Sequence, residues 1–364
     1  MTVPARYEQA FGAEDGLVVE FHQMQTEEHT HPLGQHVCPV ALVRPAVPPL
    51  HARGTALPAV VVLHPTGLGM ESVAPLMRSY AKRGMIAAAI DCRYHGARGV
   101  EPPGGGTLRE GYEAALVGAW RGAGPGAGER PFLLDSVWDI VHLMDLLETR
   151  EDVDSARIGM TGISLGGMHT MLAMMLDDRV AVGAPMIGTQ GFKWAIENEA
   201  YHARVASIPR VFEAAAVDMG KEQVDADVVR AVWNKILPGL LSDDGYDAPQ
   251  VLPALAPRPV LVALGERDPR CPVSGLAAPV KAAQAAYAAA GCPGEFQAQV
   301  FPGIAHETCP EMYAAVEEWL AVHLGALPEA PQGQPKLDRW VTRLAGSGAG
   351  GMMGGYRDET APQR

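Results

Sequence analysis

The sequence predicts an α/β fold: a mostly parallel central sheet, helices on both of its faces, and a small helical insertion late in the chain. Three observations predict it. Ala59–Leu63, Met85–Ile90 and Pro259–Gly265 are short, unbroken apolar runs. Strands buried on both faces, as in parallel sheets, have that composition. Helical runs alternate with them, over Val73–Arg83, Phe132–Leu147 and Ala277–Ala290. Finally, the apolar run Ile158–Thr161 passes through Gly162-Ile-Ser-Leu-Gly166 into Met168–Leu176, which has neither Pro nor Gly. Strand, tight turn and helix in that order project the serine of a G-x-S-x-G turn out of a sheet edge.

Composition excludes several classes. The chain has 364 residues, 48% hydrophobic and 20% charged, which suits one large globular domain with insertions. Its 29 basic and 42 acidic residues leave a net charge of −13 with no basic cluster. That argues against nucleic acid and anionic membrane surfaces as partners. No apolar run approaches the roughly 18 residues needed to span a bilayer. Met1-Thr-Val-Pro-Ala-Arg-Tyr7 lacks the charged segment and apolar core of a secretory signal. The five cysteines, Cys38, Cys92, Cys271, Cys292 and Cys309, are scattered and form no C-x-x-C pair. Free thiols in a cytoplasmic protein are expected.

In chain order, residues 1–35 are expected to be a lead-in carrying the first strand, Gly16–Phe21, after an irregular start. His22, His29 and His31 match no metal spacing. The main domain is expected over 36–325, opening with a strand at His36–Val43 and a proline-rich connector at Pro45–Pro58. Asp91, Arg93 and His95 follow the Met85–Ile90 strand and are expected to pair with one another. Within 97–130, the glycine-rich runs Gly104–Gly106 and Gly122–Gly128 are expected to be flexible loops around a helix at Leu108–Trp120. Asp135 and Asp139 suit the start of the helix that begins at Phe132. Val180–Ile187 is a further strand. The β-α rhythm then stops until Pro259, so about 188–250 is expected to be a cap, with helices at Phe192–Arg204 and Asp225–Leu237. Gln297–Phe301 is the last strand and Glu311–Leu324 the last helix of the domain. Residues 326–364 are expected to be a largely disordered extension, with one short amphipathic piece around Trp340.

The chemistry-bearing residues follow one order: Ser164, then Asp268 after a buried strand, then His306 after the next. Each lies at a strand's carboxyl end, where open α/β sheets gather catalytic groups. Serine is a weak nucleophile, so His306 must accept its proton and Asp268 must orient the imidazole. Glu266 is a competing acid two residues earlier. His169 sits on the helix after the turn, facing away. The Leu165 N–H, at that helix's start, is aimed at a developing oxyanion. A second donor is expected after Ala59–Leu63, in His64-Pro-Thr-Gly67. Pro65 has no N–H, which leaves Thr66 or Gly67. Trp194 and Phe212 of the cap are expected to line an apolar mouth and bind substrate. No metal or cofactor is implied.

These segments, Gly162-Ile-Ser-Leu-Gly-Gly167, Gly265-Glu-Arg-Asp-Pro269 and Gly303-Ile-Ala-His-Glu307, resemble the nucleophile, acid and base segments of the α/β-hydrolase superfamily. Arg150–Gly159 before the turn resembles its dienelactone-hydrolase, acetyl-xylan-esterase and prolyl-oligopeptidase-like branch. The resemblance covers roughly residues 36–325 and implies the α/β-hydrolase fold. It implies a serine hydrolase that cleaves a small-molecule carboxylic ester through an acyl-enzyme, and a homo-oligomer is left open. His-Pro-Thr-Gly stands where the family usually has a His-Gly segment. An amide- or peptide-cleaving hydrolase and a catalytically silent binding protein on the same fold are the alternatives.

Overall fold

The computed structural model describes residues 4–12, 14–47, 56–102, 104–128 and 131–326. Most of the proline-rich connector and the whole extension from 327 lie outside the described residues. The described chain runs through α1 (Ala5–Ala10), β1 (Leu17–Gln25), β2 (Val37–Pro45), β3 (Leu57–Leu63), α2 (Ala74–Lys82) and β4 (Ile86–Ile90). It continues through α3 (Leu108–Arg121), α4 (Phe132–Glu148), β5 (Val153–Ile163), α5 (Leu165–Leu176) and β6 (Val180–Met186). Five insertion helices follow: α6 (Phe192–Glu197), α7 (His202–Val205), α8 (Pro209–Asp218), α9 (Ala226–Ile236) and α10 (Ala248–Ala254). The domain ends with β7 (Val260–Gly265), α11 (Val273–Ala289), β8 (Phe296–Phe301) and α12 (Pro310–Leu324).

The strands form one sheet in the order β1-β2-β4-β3-β5-β6-β7-β8. β2 runs antiparallel to both neighbours, and every other pairing is parallel. Every residue of β3, β4 and β7 is buried. Their side chains alternate between two cores, as the two-residue period of a strand requires. Ala59, Val61 and Leu63 enter a core shared with α4, α5, α10 and α11. Val60 and Val62 enter the opposite core with α2 and α12. Helices therefore cover both faces, and unbroken apolar strands are the physical consequence.

Three expectations change. The lead-in is not irregular throughout. α1 places Tyr7 and Phe11 in the second core, and β1 pairs along its length with β2. The single cap helix expected over 192–204 breaks at Asn198, and α8, which begins at Pro209, adds a helix between the two expected ones. In the 97–130 segment the expected helix is present as α3, and of the two glycine-rich loops expected around it the second packs against that helix. α3 shares a third core with α8 and α9, so two stretches of chain build the cap. The loop after α3 folds back on it: a Cβ at Gly118 would lie 1.6 Å from the Pro125 carbonyl oxygen. The missing side chain is what permits that approach.

Candidate active site

Ser164 sits between the end of β5 and the start of α5 with φ 54° and ψ −105°. A non-glycine residue holds such a conformation only where its surroundings over-determine it. They do so here. The Ser164 N–H donates to the Met186 carbonyl at 2.9 Å, and its own carbonyl accepts from Met168 N at 2.9 Å. The flanking glycines allow the turn to close. A Cβ at Gly162 would meet the Gly166 backbone at 2.4 Å, and one at Gly166 would meet the Leu63 carbonyl oxygen at 2.3 Å. α5 begins at Leu165, whose N–H belongs to the first turn and has no acceptor within the helix.

Ser164 Oγ lies 2.8 Å from His306 Nε2. His306 Nδ1 lies 2.8 Å from Asp268 Oδ2 and 3.0 Å from its Oδ1. A carboxylate only accepts, so Nδ1 carries the hydrogen and Nε2 presents its lone pair to the serine hydroxyl. Asp268 follows β7, and His306 follows β8. The carboxylate is 3% exposed and also accepts from the backbone N–H groups of Arg270, at 2.8 Å, and Cys271, at 3.0 Å. Burial would raise its pKa, but the hydrogen bonds from His306 and the two N–H groups outweigh burial and hold it below the usual value.

Glu266 points elsewhere: its Oε2 accepts from Gly303 N at 2.8 Å and so fastens the loop that carries His306. His169 is fully buried with Nδ1 3.4 Å from the Cys92 thiol. Burial, then neighbouring His64, pushes its pKa down to about 3. It cannot serve as a base at the site.

Thr66 lines the cleft with Ser164 and His306, and Gly67 follows it with φ +80°. The loop they occupy is built by His64. Its Nδ1 lies 2.9 Å from the Pro65 carbonyl oxygen, so Nδ1 donates, and Nε2 accepts from Cys92 N at 3.0 Å. Asp91 clamps the far end by accepting from Met70 N at 2.8 Å, Ala97 N at 2.7 Å and the Tyr7 hydroxyl. Arg93 reaches away from Asp91, to Asp135, Asp139 and Glu27, and Arg98 joins Asp139 at 2.7 Å. The expected mutual pairing of Asp91, Arg93 and His95 is therefore replaced. His95 Nδ1 contacts only the Arg93 carbonyl, while the two charged groups tie the loop to its neighbours. The reason is geometric: α4 presents two carboxylates on the face toward this loop.

The two cap aromatics expected at an apolar mouth are placed elsewhere. Phe212 is fully buried, stacked edge-on to Trp233 at 5.6 Å inside the cap's own core. Trp194 packs on α11, where a Cβ at Gly275 would stand 2.6 Å from its ring. Neither lines the cleft around Ser164. Arg109, Arg204 and Arg270 line it instead. Arg270 lies two residues past Asp268, and that spacing is the sequence signal for its place in the cleft. Arg204 carries no local signal. Phe212→Ala is accordingly expected to cost stability, about 3–5 kcal/mol as for other buried phenylalanines. Chemical denaturation measures it, and a wild-type midpoint would contradict the placement.

Among the described residues, Asp268, Cys271 and His306 are the one group of three His, Cys, Asp or Glu side chains whose possible metal-ligand atoms lie within 4.8 Å of one another. Both His306 nitrogens and both Asp268 oxygens are engaged in the chain above. The Cys271 thiol donates to the Ile187 carbonyl at 3.2 Å, and burial pushes its pKa up to about 12. The donor chemistry is that of a proton relay beside a protonated thiol.

A family model for fungal glucuronyl esterases matches residues 130–291, which include Ser164 and Asp268 and stop before His306. An uncharacterized 31.7 kDa protein of the traX–finO intergenic region of Escherichia coli is 38% identical over 69 residues. That match takes in 18% of this chain and 24% of the other, so the chain spans about a quarter of the length of the curated relatives it matches. Among solved structures, an acetyl xylan esterase from Paenibacillus sp. R4 aligns with TM-score 0.55 and 18% identity, covering 87% of this chain and 91% of that one. Methylesterase BT1017 aligns with TM-score 0.56 and 16% identity over 87% of this chain and 62% of that one. A 2,6-dihydroxy-pseudo-oxynicotine hydrolase aligns with TM-score 0.53 and 16% identity over 86% and 70%.

Proposed function

The chain has the α/β-hydrolase fold, and we propose that it is a serine hydrolase that cleaves a small-molecule carboxylic ester through an acyl-enzyme. The observation that carries this reading is the continuous relay from Ser164 Oγ through His306 to Asp268, mounted on a strained turn. Ser164 Oγ attacks the ester carbonyl while His306 Nε2 takes the hydroxyl proton. Asp268 holds the imidazole tautomer and stabilises the imidazolium. The Leu165 N–H and the N–H of Thr66, the one of the two candidate loop residues that lines the cleft, hold the oxyanion. His306 returns the proton to the departing alcohol, and water then repeats the attack on the acyl group. The matching glucuronyl esterase model supports an ester over an amide, as do the names of two similar structures, a methylesterase and an acetyl xylan esterase. A silent binding protein would need neither the strained serine nor the relay.

No helix of the described residues is long and apolar enough to cross a membrane. All five cysteines are free, three of them buried, which supports a reducing, cytoplasmic setting.

The test is a panel of 4-nitrophenyl esters of increasing acyl length beside the matching anilides, assayed on the purified full chain. Ester turnover above that of Ser164→Ala is expected. Faster cleavage of anilides than of esters would transfer the reading to an amidase, and no turnover of either would remove it.

A further inference from the structure

The cleft carries more positive charge than the proposed chemistry uses. Arg109, Arg204 and Arg270 line it together, in a chain whose net charge is −13. Arg109 is committed: its Nε lies 3.3 Å from Glu113 Oε1, and its Nη2 donates to the Ser207 carbonyl. Arg204 is held without being neutralised. Its Nε donates to Gln190 Oε1 at 3.2 Å, its Nη2 reaches the Cys271 sulfur at 3.7 Å, and its guanidinium lies 6.0 Å from the Phe192 ring centroid. Among the described residues, no carboxylate comes within ion-pair distance of Arg204 or Arg270. Glu307 also lines the cleft, exposed, and pairs with none of the three. Burial, and then the nearby charge of Arg204, lowers the pKa of Arg270.

Two partly buried guanidinium groups held near one another with no carboxylate in ion-pair contact cost free energy, which the charge of Asp268 near Arg270 offsets only in part. An incoming anion offsets that cost. The planar fork of arginine matches a carboxylate in two parallel hydrogen bonds. Arg204 comes from the cap and Arg270 from the loop that carries the triad acid, so an anion between them is fixed relative to Ser164.

We propose that Arg204 and Arg270 form a carboxylate-recognition site, and that the substrate is an acidic ester bearing a free carboxylate a few bonds from the scissile carbonyl. This deepens the esterase reading and rests on it. The cap then selects for charge, not for acyl length.

The test compares 4-nitrophenyl hydrogen glutarate with 4-nitrophenyl pentanoate, and 4-acetoxybenzoate with its neutral methyl ester. These pairs place the charge on the acyl and on the alcohol side. In one pair or the other, kcat/KM should favour the anionic ester by about 10- to 100-fold in the wild type, the range of one charge-assisted contact. The ratio should collapse toward one in Arg204→Gln and Arg270→Gln. A wild-type ratio near one in both pairs, or a ratio that survives both substitutions, overturns the proposal. Calorimetric titration of the full chain with glutarate and with inorganic phosphate gives a readout independent of turnover. Glutarate should bind the wild type and not the double variant. If neither ester is hydrolysed but glutarate binds, the anion site stands and the esterase reading falls. Absence of glutarate binding, or binding of phosphate in its place, overturns the carboxylate assignment.

Discussion

Ser164→Ala is expected to lower ester turnover by on the order of 10⁴-fold or more while leaving the fold intact. The relay loses its reacting oxygen, whereas His306, Asp268 and the backbone donors keep their places. Their residual contribution sets the floor, because an oxyanion hole and a binding cleft alone still accelerate hydrolysis over water. The strain at φ 54° is unchanged by the substitution, because alanine finds that conformation no easier than serine does, and only the hydrogen bond to His306 is lost. Denaturation of the variant is expected to match the wild type within about 1 kcal/mol. His306→Ala should be comparably inactive, and the double variant no worse than either, because the residues act as one unit. Turnover within tenfold of the wild type in Ser164→Ala would contradict the assignment.

Asp139→Ala is expected to cost about 3–5 kcal/mol of stability. Asp139 is fully buried and bonds both Arg93, at 3.1 Å, and Arg98, at 2.7 Å. Removing it leaves two buried guanidinium groups short of charge. Arg93 keeps Asp135 and Glu27, so Arg98 bears most of the loss. The same cluster sets a pH dependence. Burial would raise the pKa of Asp139, but Arg98 and Arg93 outweigh it and hold the value below 3.8. A carboxylate with a depressed folded-state pKa stabilises fully above its unfolded value and loses that contribution as pH falls through the folded value. Stability from this group is therefore present at neutral pH and lost only in acid. Denaturation curves across the acid range should be flatter for Asp139→Asn than for the wild type. An unchanged midpoint in Asp139→Ala would show that the cluster contributes nothing.

Much of this architecture is legible in the sequence because burial on both faces leaves a one-dimensional trace. Ala59–Leu63 and Val260–Gly265 have no polar residue to place toward solvent, and the sheet gives them none. The turn at Ser164 is legible for a similar reason, since only glycine fits at 162 and 166. What failed depended on elements meeting from far apart. Asp135 and Asp139 look like ordinary acidic residues near a helix start, and nothing along α4 announces that Arg93 and Arg98 stand opposite. Phe212 and Trp194 are large and apolar, but composition does not say whether an aromatic residue fills a cap's own core or a pocket wall. The arginines show the same limit from the other side. Arg109, Arg204 and Arg270 belong to three separate segments, and only the folded chain brings them to one cleft.

The most direct test of the central claim is covalent capture of the nucleophile. The full chain is treated with an alkyl fluorophosphonate, which reacts with serines activated by a neighbouring base, and the modified residue is mapped by peptide mass spectrometry. One adduct per chain on Ser164 is expected, with labelling lost in Ser164→Ala and strongly slowed in His306→Ala. An unlabelled chain that still hydrolyses esters, or an adduct on a different residue with Ser164 unmodified, would contradict the account.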